Sequence, residues 1–318
     1  MATTHPGRET VGVSAAARTR RRLRGRSQKV AGDPTIWFAV PALLVYGLVV
    51  LYPSIAGAAY AFTDWKGIGG AAWVGLENFR NLFTDDQSFG ALKNTVKLTL
   101  FIVIVQNGIG LLLALGVHTA IKSRYLLRTI LFAPAVVSPV VIAFLWKYMF
   151  NPAPDAGLNG LFGFFGLDFL QQDWLGDPGV ALWAVGLTVV WQFAGYSMVI
   201  FLAALQGIPQ ELQEAASLDG AGRFNRFRYV VFPLIAPALT INLMLSTIGG
   251  LKLFDQVFAI TNGGPGYASE TLSTLIYKQA FVFGNYGYST AVALVLAILV
   301  AAIAIVQLKY LRGREVAA

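Results

Sequence analysis

Six uncharged, apolar stretches dominate this sequence, and each is close to the length that a helix needs to cross a bilayer. They are residues 34–63, 98–121, 129–146, 178–210, 229–251 and 279–308. About 20 apolar residues in a helix cover the hydrocarbon core. The third stretch is the shortest. It extends past Lys147 to Phe150, because a terminal lysine reaches the interface along its own aliphatic stem. The runs are continuous rather than alternating, which argues for helices and against a barrel. Pro41, Pro53, Pro134, Pro139 and Pro237 fall inside them, and helix bundles tolerate proline where neighbours satisfy the freed backbone. Only 13% of the 318 residues are charged, against roughly a quarter in a soluble domain. The expected fold class is an all-α integral membrane protein with six transmembrane helices.

Six spans place both termini on one side. Of the 24 Lys and Arg residues, 17 lie in the tail 1–33, the loops 122–128 and 206–228, and the tail 309–318. Basic loops stay in the cytoplasm, so those four segments are expected inside a bacterial-type plasma membrane. The expected organisation is a basic cytoplasmic tail (1–33), a first span (34–63), an outer loop (64–97), a core of five spans (98–308) and a C-terminal tail (309–318). The RTRRRLRGR run, Arg18 to Arg26, sits directly before a span. It reads as a topology signal touching membrane lipid rather than as a nucleic-acid arm. The AGAAYA segment, Ala56 to Ala61, has the small residues of a cleavage site, but the apolar run is far longer than a signal core.

Catalytic chemistry is hard to find. The chain has no cysteine, no GxxxxGK[ST] and no GxSxG. Its two histidines, His5 and His118, cannot form a HExxH zinc site. The expectation is a chain that is no enzyme and holds no metal or cofactor, so that any uphill movement draws on a gradient or on another polypeptide. Outside the membrane, Leu76, Phe79, Leu82 and Phe83 fall at helical spacing and suggest a helix along the outer interface. The 151–177 loop opens with the turn signal NPAPDAG, and its LFGFFG reads as an interfacial or re-entrant piece. TNGGPGYASET, Thr261 to Thr271, reads as a tight turn.

The 206–228 loop is the most informative. Pro209 suits the first position of a helix. PQELQEAASLD then reads as about three turns, with Leu212, Ala215 and Ala216 on one face. Asp219-Gly220-Ala221-Gly222 ends it, with glycine available for a left-handed cap. Arg223, Phe224, Arg226, Phe227 and Arg228 make an interface strip, aromatics in and guanidiniums out. The residues alone allow either an ordinary interfacial loop or a rigid rod whose small face admits another surface closely.

The spacing here resembles the EAA loop of binding-protein-dependent ABC importer permeases, EAA-x3-G-x9-I-x-L-P. It is carried by Glu214-Ala215-Ala216, Gly220, Val230, Phe232 and Pro233, with Val for Ile and Phe for Leu as departures. EAASLDGA is similar to the carbohydrate-uptake branch, as are WVGLENFRNLF (Trp73 to Phe83), ALKNT (Ala91 to Thr95) and ITNGGP (Ile260 to Pro265). The resemblance covers about residues 33–312. It implies a five-helix core like the MetI fold plus one N-terminal helix. It also implies an ATPase-coupling element at Glu214, Ala215, Ala216, Asp219 and Gly220. The implied partners are a second, homologous permease, two cytoplasmic ATPases that bind the ATP and Mg, and an extracytoplasmic solute-binding protein. The implied solute is a sugar or related polar compound such as glycerol phosphate.

For solute contact the chemistry points to the fourth and fifth spans. WQFAGYSM suggests one polar-aromatic patch of Trp191, Gln192, Tyr196 and Ser197, and LKLFDQ adds Lys252, Phe254, Asp255 and Gln256. Sugars suit aromatic faces for their CH edges, and amides or carboxylates for their hydroxyls. Lys252 and Asp255, at i and i+3, could instead neutralise each other. A self-sufficient secondary transporter using an ion gradient through that pair is the rival reading, although no internal repeat supports it.

Overall fold

The computed structural model describes residues 1–2, 34–119 and 122–312. The RTRRRLRGR run, His5 and residues 313–318 lie outside the described residues. The described chain divides by contact into two units, Met1–Ile55 and Ala56–Ala318. The first holds helix α1 (Pro34–Tyr46), a π-helical turn (Gly47–Leu51) and the start of α2 (Tyr52–Tyr60). Pro53 stands just after that turn and brings no amide proton. The chain there shifts register, with the Tyr52 amide donating to Gly47 five residues back. The same device recurs before Pro233, where Phe232 donates to Phe227.

Among its described residues the second unit is helical, with only an isolated bridge between Thr63 and Trp73. It contains α3 (Glu77–Thr84), α4 (Asp86–His118), α5 (Arg124–Val136), α6 (Pro139–Met149), α7 (Gly157–Phe164) and α8 (Ala181–Gln206). After these come α9 (Gln210–Leu218), α10 (Arg223–Arg226), α11 (Phe232–Leu234), α12 (Ala236–Leu251), α13 (Asp255–Ile260), α14 (Leu272–Tyr277) and α15 (Tyr286–Arg312). Among the described residues, four helices are long and apolar enough to span: Trp37–Tyr60, Asp86–His118, Ala181–Gln206 and Tyr286–Leu311. Two more candidate spans are bent pairs, α5 with α6 by 100° and Arg223–Leu234 with α12 by 67°.

The third and fifth apolar stretches are thus not single rods. Pro139 disfavours helical backbone at Ser138, which is extended (ψ 134). Ile235, just ahead of the α12 proline Pro237, marks the second bend. The last stretch is also redrawn. Residues 278–282 continue from α14 as a π-turn that breaks at Gly284, so α15 starts only at Tyr286. In the other direction, α4 begins at Asp86, three turns before the apolar run. Asp85 is its N-cap and accepts from the Ser88 amide.

The long α4 and α8 form the centre. Two-thirds (67%) of the most apolar window of α8 is buried, against 17% for α15, which places α8 inside and α15 toward lipid. Small residues let these helices approach. A Cβ at Gly110 of α4 would meet Ser197 of α8 at 2.6 Å, and one at Gly195 of α8 would meet the Leu131 carbonyl of α5 at 1.9 Å. Leu98, Ile102, Val185, Val189 and Val257 form one core layer, and Ala114, Met198, Phe201, Val231 and Ile235 form another nearer α9. A third joins Leu82 of α3 to Leu251, Leu275 and Val292.

The connecting segments at the end opposite α9 are fastened by polar groups. Leu82 of α3 is buried, while Phe83 and Leu76, the N-cap just ahead of the helix, stay exposed, so the expected apolar face is split. Asn159 of α7 is fully buried. It donates to the Pro152 and Gln172 carbonyls and accepts from the Trp174 indole. The 261–271 turn is held by Asn94, which donates to the Ala268 and Glu270 carbonyls. The buried Glu270 carboxylate pairs with Lys278. That pair joins two positions eight apart around a turn, which no helical or strand periodicity announces.

Candidate functional site

Two places combine exposure with organised polar groups. The first is the 206–228 loop. Pro209 is the N-cap of α9 rather than its first helical residue, with extended backbone (ψ 130), and α9 runs from Gln210 to Leu218. Glu214 accepts from the Gln210 amide at 2.6 Å, one turn earlier. The end of the helix is a complete Schellman motif. The Ala221 amide donates to Ala216, the Gly220 amide donates to Ser217, and Gly220 has φ +82. A side chain at Gly220 would meet nothing within 4 Å. The residue is therefore required by backbone conformation and not by space.

Glu214, Ala215, Asp219 and Gly220 are exposed and Ala216 is half-buried, as is the neighbouring Gln213. Leu212 and Leu218 are exposed as well, Leu218 at 88%. Phe227 turns inward against Phe232, whereas Phe224 faces out, so only part of the expected aromatic strip is anchored in the protein. A cleft of about 500 Å³ runs between α9 and the ends of α4 and α8, lined by His118, Gln206, Gln213, Glu214, Ser217 and Arg226.

The second place is a cavity of about 450 Å³ bounded by α4, α8, α12 and the turn into α13. Tyr196, Lys252, Phe254, Asp255 and Gln256 line it. Trp191, Gln192 and Ser197 do not, so the single patch expected on α8 is dispersed around the helix. Trp191 turns away and packs edge-on against Trp146 with centroids 5.5 Å apart. Gln192 and Ser197 are fully buried. Gln192 donates to the Val137 carbonyl, exposed by the α5–α6 break, and accepts from Gln256 at 3.0 Å. Ser197 accepts from Gln106 at 2.9 Å.

Lys252 and Asp255 form no ion pair. The only one among the described residues joins Lys278 to Glu270. The reason is local: α12 ends at Leu251 and α13 starts at Asp255, so the two residues never share a helix face. Both are exposed at the cavity, an ammonium and a carboxylate on one rim.

The cavity wall also holds residues not singled out from the sequence: Gln106, Asn242 and Ser246. Asn107 donates to Ser246 at 2.8 Å, and Asn242 reaches the Ser197 carbonyl. These residues and Gln192, Ser197 and Gln256 make a buried polar seam through the bundle. Gln106-Asn107 in the middle of an uncharged run was the available signal, since polar groups at membrane depth are costly unless partnered.

Residues 106–314 match the family described as binding-protein-dependent transport system inner membrane component. The chain is similar to the probable starch degradation products transport system permease protein AmyD of Thermoanaerobacterium thermosulfurigenes. The two are 34% identical over 88% of this chain and 96% of the relative. It is also similar to the multiple sugar-binding transport system permease protein MsmF of Streptococcus mutans, 32% identical over 88% of this chain and 95% of the relative. Its fold is that of a chain from a bacterial ABC transporter involved in import of the acidic polysaccharide alginate. That chain gives a TM-score of 0.75 and 24% identity, over 88% of this chain and 95% of the other.

Proposed function

The chain belongs to the family of inner-membrane components of binding-protein-dependent transport systems, and from that premise we propose that it lines half of the pathway of an ATP-driven importer for a sugar or related polar solute. A second, homologous permease supplies the other half. Two ATPase subunits bind and hydrolyse ATP with Mg on the cytoplasmic side, and a solute-binding protein delivers cargo outside. The starch-product and sugar transport roles in the names of the relatives support the solute class.

The observation that carries this reading is α9. It is a short rod stopped by a Schellman motif, joined to α8 by a proline-fixed turn and to the next helix through α10, with Glu214, Ala215 and Asp219 turned outward. A rod so held passes on displacement instead of absorbing it. In this mechanism the ATPases draw two such rods together as they close on ATP. The helix bundle then changes from inward-facing to outward-facing, and solute binding biases the same two-state equilibrium from outside. Glu214 would meet a basic group on the ATPase, and the alanines would allow close approach.

The cavity is the solute chamber. Tyr196 and Phe254 offer faces for sugar CH edges. Gln106, Asn242, Gln256 and Asp255 offer partners for hydroxyls.

The test is reconstitution with the partner subunits in proteoliposomes. Uptake should require internal ATP and the external binding protein. Glu214→Lys should leave insertion and the melting profile of the isolated chain unchanged while the ATPase no longer co-purifies. Uptake driven by a proton or sodium gradient without ATP would overturn the reading, as would normal ATPase stoichiometry in the Glu214→Lys complex.

A further inference from the structure

At the end of the bundle opposite α9 lies a cleft of about 400 Å³ that shares no residue with the transmembrane cavity. Its lining is polar throughout: Asn78 and Asn81 of α3, Asp85, Gln87 and Ser88 at the start of α4, and Gln279, Asn285 and Tyr288 beside α15. We propose that this cleft is a second binding site, for a neutral polyhydroxylated ligand such as a mono- or disaccharide.

The hydrogen bonds within the cleft fix which atoms are left over. The Tyr288 hydroxyl donates to Ser88 Oγ at 2.7 Å, and Ser88 donates to Asp85 Oδ2 at 2.7 Å. Asp85 Oδ2 also takes the Ser88 amide, which leaves Oδ1 as an open acceptor. Asn285 donates to Gln279 Oε1 at 3.0 Å. That orients both amides and leaves Gln279 Nε2 as a donor and Asn285 Oδ1 as an acceptor. Asn81 and Gln87 have both functions free. A sugar hydroxyl gives one hydrogen bond and accepts others, so it matches a wall of mixed donors and acceptors.

Charge narrows the class further. The lining holds one carboxylate and no cation, which disfavours phosphates and carboxylates. The volume lies within the roughly 300–1,000 Å³ of small-molecule sites. The elements are also fixed in place. Asn78 is anchored by donating to the Ala61 and Thr63 carbonyls, and Asp85 caps α4. A ligand would therefore meet a preformed wall, with little ordering cost. On the topology proposed above the cleft faces outward, where it would hold saccharide close to the entrance of the pathway.

Binding is measured by equilibrium dialysis of the full chain in lipid nanodiscs, with radiolabelled glucose, maltose and trehalose at millimolar concentration. At least one should bind. The Asn81→Ala, Gln87→Ala double variant should weaken that binding about tenfold, the loss expected from two hydrogen bonds. Neither side chain has a hydrogen-bond partner among the described residues, so the variant keeps its fold. Tyr196→Ala, in the transmembrane cavity, should remove at most the saccharide held there and leave in place the portion that the double variant loses. The proposal is overturned if none of the three sugars binds, or if the double variant retains all the binding that the unaltered chain shows. It is also overturned if labelled calcium, lost in Asp85→Asn, occupies the cleft and no sugar does. None of these readouts requires transport, so they stand apart from the ATP-coupled reading.

Discussion

Residues that are neighbours in sequence on a membrane helix are rarely neighbours in function. Trp191 and Gln192 face opposite environments: the indole packs on Trp146, while the amide is fully buried and bonded on both sides. Tyr196 alone of the α8 quartet reaches the cavity. In reconstituted transport, Asp255→Asn and Tyr196→Ala should each raise the solute concentration for half-maximal uptake by about three- to tenfold, the size of one hydrogen bond or partial ring contact. Trp191→Ala should leave that concentration nearly unchanged and lower the thermal midpoint instead, because it removes an aromatic packing contact. A large affinity loss in Trp191→Ala with normal stability would put the indole in the pathway. These residue types were visible in the sequence. Their division among cavity, core and lipid was not, since that depends on rotation about α8, which is set by Gly110 of α4 and the Leu131 backbone of α5.

At the scale of elements, what the sequence concealed was the breaks. Length and hydropathy marked six apolar segments and put helices within them. Proline did not show where a helix ends, because a bundle can accept it inside a continuous rod. Pro41 lies within α1 without ending it, whereas the backbone ahead of Pro139 turns by 100°. The difference is a partner. The carbonyl of Val137, freed at the break, is taken by Gln192, and Gln192 is steadied by Gln256. The two glutamines are 64 residues apart in sequence, so nothing local announces them. Their coupling can be measured in a double-mutant cycle on thermal unfolding in detergent. Gln192→Leu should cost about 2–4 kcal/mol, because it orphans both the Val137 carbonyl and the Gln256 amide. Gln256→Leu should cost about 1–2 kcal/mol. The double variant should cost less than the sum by about 1 kcal/mol, since removing both partners leaves only the carbonyl unsatisfied. Strict additivity would mean that the two side chains do not act together.

For the whole molecule, the decisive quantity is which way it sits in the membrane. The α9 end and the end bearing α3, α7 and the 261–271 turn are distinguished chemically. By sequence, 17 of the 24 Lys and Arg fall in the two tails and the loops 122–128 and 206–228, and the positive-inside rule turns that asymmetry into an expected orientation with the α9 loop inside. The proposed coupling to a cytoplasmic motor and the proposed delivery by an external binding protein require the same orientation, so one measurement bears on both. The chain has no cysteine, which makes each introduced thiol a reporter without background. Ser217→Cys on α9 and Asp168→Cys beyond α7 are both at exposed positions. A membrane-impermeant maleimide should modify Ser217→Cys only in inside-out vesicles and Asp168→Cys only in right-side-out vesicles or intact cells. Ser217 is one turn from Glu214, so bound ATPase should also slow its modification, and this protection should vanish in Glu214→Lys. Labelling of Ser217→Cys from outside would reverse the topology. It would also remove the cytoplasmic partner from α9 and place the all-polar cleft on the inner face, away from any incoming solute.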